Sequence, residues 1–300
     1  MITGTFLDEI THDIPSQNWG EAEWRKDFQA MKDIGIDTVI LIRAGYGNKV
    51  TFDSKVIAKH HKVLIVGYDL VEIFLKLADE FGMAFFFGTY DGRDLWRNGK
   101  YQEEVDINRA FCDEVWERYG HHKSFKGWYI SHEIDSFDDG MMKVYEQLAN
   151  HLRGLKELPI LISPYIRGTK QFGDAGAITL EGHEKEWSQV FARIEGLVDI
   201  VAFQDGHVHY EELPDYFAVN ARLAREHKIT SWSNVETFSR DMPWDFPPLD
   251  WREVKYKVDV ARESGVDKLI TFEFSHFMSP NSIYPGAHHL YNRLKELYGK

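Results

Sequence analysis

Eight times along this chain a short apolar run gives way to a longer amphipathic segment. The runs are Ile2–Leu7, Thr38–Ile42, Met83–Phe87, Phe125–Ile130, Pro159–Ile162, Asp199–Phe203, Ile229–Val235 and Lys268–Phe272. Their length and β-branched or aromatic content predict strands. The intervening segments predict helices over 20–34, 70–81, 106–119, 138–155, 184–197, 211–227, 250–264 and 288–297. In the first, Trp24, Phe28 and Met31 recur at helical spacing and Gly35 follows as a cap. In the fifth, Trp187, Val190, Phe191 and Ile194 share a face. The stretch from Tyr46 to His61 reads as a loop.

Strands joined through helices run parallel. Eight such units without a linker predict an α/β chain folded as a closed (β/α)8 TIM barrel, one domain over residues 1–300. Such a barrel typically needs ~250 residues. The competing open, doubly wound sheet usually carries a phosphate-binding glycine motif, and no G-x-G-x-x-G or Walker A run follows a strand here.

Composition then removes several function classes. A formal charge of -13 disfavours nucleic acid as a partner. No apolar run approaches the ~20 residues of a membrane span. Cys112 is the one cysteine, so no intrachain disulfide is possible, and its helix places it as a buried core thiol. With no basic, signal-like start at Met1, a cytoplasmic location is expected.

In a TIM barrel the chemistry sits where strands run into their following loops. Those ends carry Asp8-Glu9; Arg43 and Tyr46; Tyr90-Asp91, then Trp96; His132-Glu133; Tyr165; Gln204-Asp205, His207 and His209; Asn234 and Glu236; and Glu273 with His276. Two carboxylates stand out, Glu133 after the fourth strand and Glu236 at the seventh, because glycosidic cleavage uses a pair of carboxyl groups flanking the scissile bond. Tyr46, Tyr90, Trp96, Trp232 and Trp244 are candidate sugar-stacking platforms, with ordinary core packing as the competing role. Tyr165, Gln204, Asp205 and Glu273 are further substrate-binding candidates, and Asn234 or His132 could hold a sugar hydroxyl.

The arrangement resembles the clan A glycoside hydrolases, retaining enzymes on TIM barrels. The runs Gly127-Trp128-Tyr129-Ile130-Ser131-His132-Glu133-Ile134-Asp135 and Asn234-Val235-Glu236-Thr237-Phe238 also resemble a bacterial family of candidate glycoside hydrolases containing a domain of unknown function. The resemblance implies a carbohydrate substrate, Glu133 as acid/base, Glu236 as nucleophile, Arg43 hydrogen-bonded to that nucleophile, and no cofactor or metal. The chain departs from the clan pattern at His132, where Asn is usual, at Ile134, where Pro often stands, and after the eighth strand, where Glu273-Phe274 replaces a common Trp. Two other readings stay open. His132, Glu133, Asp205, His207, His209, Glu236, Glu273 and His276 could gather a divalent ion, as in sugar isomerases and epimerases, with Asp205-x-His207-x-His209 as the closest spacing. A non-catalytic carbohydrate-binding barrel is the third.

Overall fold

The computed structural model of the protein describes residues 1–11, 14–240 and 246–298. The apolar runs form eight strands: β1 (Ile2–Leu7), β2 (Thr38–Leu41), β3 (Ala84–Gly88), β4 (Phe125–Tyr129), β5 (Ile160–Ile162), β6 (Ile200–Gln204), β7 (Thr230–Glu236) and β8 (Lys268–Phe272). Each pairs in parallel with its neighbours in chain order, and β8 returns to β1, with Ile2 facing Leu269 and Thr5 facing Thr271. The barrel is therefore closed, as the alternation predicts.

Successive side chains on a strand point to opposite faces, and this divides the core. Phe6, Ile40, Phe86, Tyr129, Leu161, Ile200, Trp232 and Ile270 fill the barrel interior. Their neighbours Leu7, Val39, Phe87, Trp128, Ile162, Val201, Val235 and Leu269 pack outward against the helices.

The principal helices are α1 (Glu21–Asp33), α2 (Leu70–Phe81), α3 (Tyr101–Tyr119), α4 (Asp139–Leu155), α5 (Leu180–Ile194), α6 (Leu213–Glu226), α7 (Trp251–Glu263) and α8 (Pro285–Tyr298). Several starts are capped by the residues that favour them: Asp69 accepts from Glu72 N (3.0 Å), Asp138 from Met141 N (2.7 Å), Thr179 from Gly182 N (3.1 Å) and Asp250 from Arg252 N (2.7 Å). Helix α2 ends on Gly82 at φ 66°, a left-handed cap that a side chain would strain.

Three helices begin earlier than their apolar pattern predicts, at Tyr101, Leu180 and Pro285. Their first turns are largely polar or, at Pro285, set by proline's fixed φ, and neither shows in an apolar periodicity. The expected loop from Tyr46 to His61 is also more ordered than predicted. Gly45–Tyr46, Lys49–Val50, Leu64–Ile65 and Tyr90–Asp91 form a small sheet over the ends of β2 and β3. Strands of two residues are too short to carry a pattern. Cys112 is buried on α3, and burial pushes its thiol pKa up, as a core thiol requires. No helix among the described residues is long and apolar enough to cross a membrane.

Candidate active site

The strand alternation that builds the core also builds the site. On β7, Trp232, Asn234 and Glu236 share the inward face at successive heights. Trp232 pairs with Lys268 at the start of β8, so it lies roughly 13 Å below Glu236 along the strand. There it packs edge-on against Phe86 at 5.8 Å. Trp232 is thus barrel filling rather than the stacking platform predicted, because four residues of strand separate it from the mouth.

Glu133 lies just beyond β4. Ser131 pins that strand end by hydrogen bonding to Ile42 O (2.7 Å) or Thr89 O (3.0 Å), and Tyr145 donates to His132 O (2.6 Å). Glu133 keeps 26 % of its side chain exposed. It accepts from Arg43 Nη2 (3.1 Å) and Gln204 Nε2 (2.9 Å). Burial raises its pKa above the ordinary carboxylate value, against the opposing pull of Arg43 and Gln204. Arg43 also reaches Asp91 at 3.6 Å, and burial alone would favour losing its proton, but Glu133 and Asp91 hold it charged.

Glu236 is 1 % exposed. Arg240 grips both its oxygens, Nε to Oε2 and Nη2 to Oε1, each at 2.9 Å. Burial would raise its pKa, yet the Arg240 charge and hydrogen bonds, with His207 and Lys257, hold it down at about 2. Its backbone is clamped as well. Glu236 N donates to Asp205 Oδ1 (3.0 Å), Lys257 Nζ donates to Glu236 O (2.7 Å), and Lys257 pairs with Asp205 at 2.7 Å. Gly206 makes room for the carboxylate, since a Cβ there would sit 1.7 Å from Oε2.

Several expectations are corrected by this geometry. Arg43 was expected beside Glu236; it binds Glu133 instead, and Arg240 takes that place. Tyr46 is buried behind the site, with the guanidiniums of Arg43 and Arg93 over its ring at 5.1 and 5.4 Å. Tyr90 is fully buried and donates to Gly47 O at 3.1 Å. His132, expected to meet a sugar hydroxyl, is buried with Nε2 on Glu104 at 2.8 Å. Glu273 is buried too, accepting from Ser275 N (3.0 Å), His276 N (2.6 Å) and His276 Nδ1 (2.6 Å), so it caps a turn rather than lining the mouth. Asp205 and Asn234 are buried supports, Asn234 Nδ2 reaching Ser163 Oγ at 3.3 Å. Trp244 lies outside the described residues.

Glu133, Trp96 and Tyr165 do come together, lining a cavity of about 280 Å³ with Arg97, Tyr101 and Asp135. A larger cavity of about 550 Å³ lies at the opposite end, around Asp37, Gly82 and Lys268. Helices turn back into strands there, which is the stability face of such a barrel. The sequence does not assign Arg240 or Lys257 as partners of the site carboxylates. Lys257 left a signal: it stands between Val254 and Val258 on the buried face of α7, where an apolar residue is expected. Arg240 opens the long, proline-rich loop 240–248, which the sequence marks as a candidate wall of the cleft. Its pairing with Glu236 leaves no signal, because a loop residue's contact depends on how the loop folds.

The spacing Asp205-x-His207-x-His209 does not converge on one point: Asp205 is held by Lys257, and His209 is exposed. Among the described residues, one trio has ligand atoms close enough to share a cation, Asp91, Glu104 and His132. Some of its donor atoms are already committed, whereas Glu104 Oε2 and His132 Nδ1 are buried without a hydrogen-bond partner. Glu104 Oε1 accepts from Gly92 N (2.9 Å), Asn108 Nδ2 (3.0 Å) and His132 Nε2 (2.8 Å), and the Arg43 cation stands beside Asp91. The charge of that guanidinium opposes a divalent ion beside Asp91.

The whole chain is similar to known structures. It is 46% identical to a candidate alpha-L-fucosidase from Bacteroides thetaiotaomicron, over 99% of this chain and 92% of that one, with a TM-score of 0.95. An endo-1,4-beta-D-mannanase from Thermotoga petrophila (10% identity, 99% of both chains, TM-score 0.61) shares the fold. So does a beta-glucosidase from Thermotoga maritima (10% identity, 92% of this chain and 87% of that one, TM-score 0.56). No curated protein matches the chain. From residue 2 to residue 284 the sequence matches one family throughout, and the chain belongs to it: the family defined by the domain of unknown function DUF4434.

Proposed function

We propose that the protein is a retaining glycoside hydrolase in which Glu133 protonates the leaving oxygen and Glu236 attacks the anomeric carbon. The observation that carries this reading is the placement of two carboxyls at the ends of β4 and β7 in unlike settings. Glu133 is partly exposed and hydrogen-bonded by Arg43 and Gln204, whereas Glu236 is buried and gripped by Arg240. Burial raises the pKa of the first, and the Arg240 charge, against burial, lowers that of the second. Two carboxyls pushed apart in this way suit an acid and an anion at the same pH. Once Glu133 has given up its proton, Arg43 and Gln204 stabilise the carboxylate it leaves, which then serves as the base that activates water. Glu236 is covered by Arg240, so attack requires the guanidinium to release at least one oxygen. The relative sharing 46% identity is described as a candidate alpha-L-fucosidase, which makes α-L-fucosides the first substrates to assay.

The test is Glu133→Ala. Glycosides with an activated leaving group need little protonation and should be spared at the bond-breaking step, whereas those with a poor leaving group should slow by about 10²–10⁴-fold, the range of general acid catalysis. Added azide should restore turnover by intercepting the glycosyl-enzyme. Equal loss on both substrate types, with no azide effect, would remove Glu133 from this role.

Gly206→Ala offers a subtler check on Glu236. Its Cβ displaces the carboxylate without touching either catalytic group's chemistry, and misplacement by ~1 Å can cost about 10²-fold. We expect kcat/KM to fall by about that factor while circular dichroism stays unchanged. Wild-type activity in this variant would show that Glu236's position is immaterial.

A further inference from the structure

We propose that the cavity beside Glu133 binds an uncharged sugar ring, the leaving-group half of the substrate. Its place in the reaction rests on the glycosidase reading; the binding itself does not.

Two opposite charges share this cavity and do not meet. Arg97 lines it and forms no ion pair among the described residues; its guanidinium lies over the Trp96 ring at 5.1 Å. Asp135 lines it too, accepting from Ser136 Oγ at 2.7 Å and forming no ion pair among the described residues. A guanidinium is a donor only and an ionised carboxylate an acceptor only. A ligand that satisfies both must offer acceptors on one side and donors on the other, which is what the hydroxyls of a sugar do. Tyr165 stands within the field of the same charges. Burial, then Asp135 and Glu133, push its pKa up to about 12, with Arg97 pulling the other way.

Charged ligands fare worse. Asp135, Asp138 and Glu133 all line the cavity, so an acidic sugar meets several carboxylates. An amino sugar meets Arg97. The aromatic residues Trp96, Tyr101 and Tyr165 supply the apolar surface against which the C–H face of a neutral ring packs. At about 280 Å³ the cavity has room for a single ring rather than a long chain. The consequence for specificity is that the enzyme acts on sugar–sugar linkages, with selection on the leaving side.

Binding can be measured by saturation-transfer NMR on the intact protein. The probes are glucose, galactose, mannose and fucose, with glucuronate, galacturonate, glucosamine and galactosamine as charged counterparts. At least one neutral sugar should bind more tightly than every charged one. Asp135→Asn and Arg97→Ala should each weaken that sugar by about tenfold, the worth of a hydrogen bond to a charged group. Both positions line an open cavity, and an unchanged melting midpoint would verify folding. Binding of none of the neutral sugars, equal binding of the acids, or affinity indifferent to both substitutions would overturn the proposal. Sugar binding without hydrolysis of any glycoside would instead strike at the glycosidase reading and leave the binding site standing.

Discussion

Glu236→Gln is expected to reduce hydrolysis by about 10⁴–10⁶-fold, the scale seen when a hydrolase loses a member of its nucleophilic machinery. Gln is a better test than Ala here. A carboxylate at an open barrel mouth ordinarily contributes little to the core. In the structure Glu236 is sealed against Arg240, so Ala would also strip a buried ion pair of one partner. Gln keeps the shape and one acceptor oxygen for Arg240 while removing the charge that attacks. The wild-type pH profile should follow from the same environment. Glu236 has a depressed pKa, so it stays ionised until the pH falls towards about 2, and activity should show no acidic limb above that region. Glu133 has a raised pKa and must be protonated to act, so kcat/KM should decline as pH rises through that value. If Glu236→Gln keeps most of the wild-type rate on a substrate the wild type cleaves, the nucleophile has been misassigned.

Glu273→Ala should unfold the protein more readily without involving the reaction directly. The expected loss is about 3–5 kcal/mol, the cost of leaving one member of a buried ion pair alone. Both ring nitrogens of His276 face acceptors, Nδ1 the Glu273 carboxylate at 2.6 Å and Nε2 the Pro15 carbonyl at 2.7 Å, so the ring is an imidazolium. Burial works against that charge, but Glu273 and the Pro15 bond outweigh it and raise the His276 pKa to about 9. A group whose folded pKa is raised stabilises fully below its unfolded value, ~6.5 for histidine, and the contribution is lost as pH rises through the folded one. Wild-type stability in urea should therefore decline on approaching pH 9. Removing Glu273 should erase that decline along with the stability at neutral pH. A urea midpoint matching the wild type at pH 7 would show that the pair holds nothing together.

Much of the candidate site was legible because a barrel converts sequence position into spatial position. Once eight apolar runs are recognised as parallel strands, the residue after each run must lie at one end of the barrel, which is how Glu133 and Glu236 were found. The same rule overreached at Tyr90 and Glu273, while Trp232 failed as a platform because of its depth along β7. The rule locates a residue along a strand but says little about whether the side chain faces solvent, and Tyr90 and Glu273 are both buried. Resemblance to a clan also carried a partner across too literally. Arg43 stands at the end of β2 as the pattern implies, yet its guanidinium spans Asp91 and Glu133.

The strand and helix order, the closure of the barrel, the buried thiol of Cys112 and the heights of Glu133 and Glu236 follow from the sequence by itself, because each rests on local periodicity and chain order. Which cation serves which carboxylate was decided only by tertiary structure. The sheet over β2 and β3 ties down the neighbourhood of Arg43 and Asp91, the folded loop after β7 brings Arg240 onto Glu236, and α7 inserts Lys257 beneath it. Ion pairing depends on separations of a few ångströms between residues distant in the chain or within an irregular loop, and no periodicity encodes such a separation.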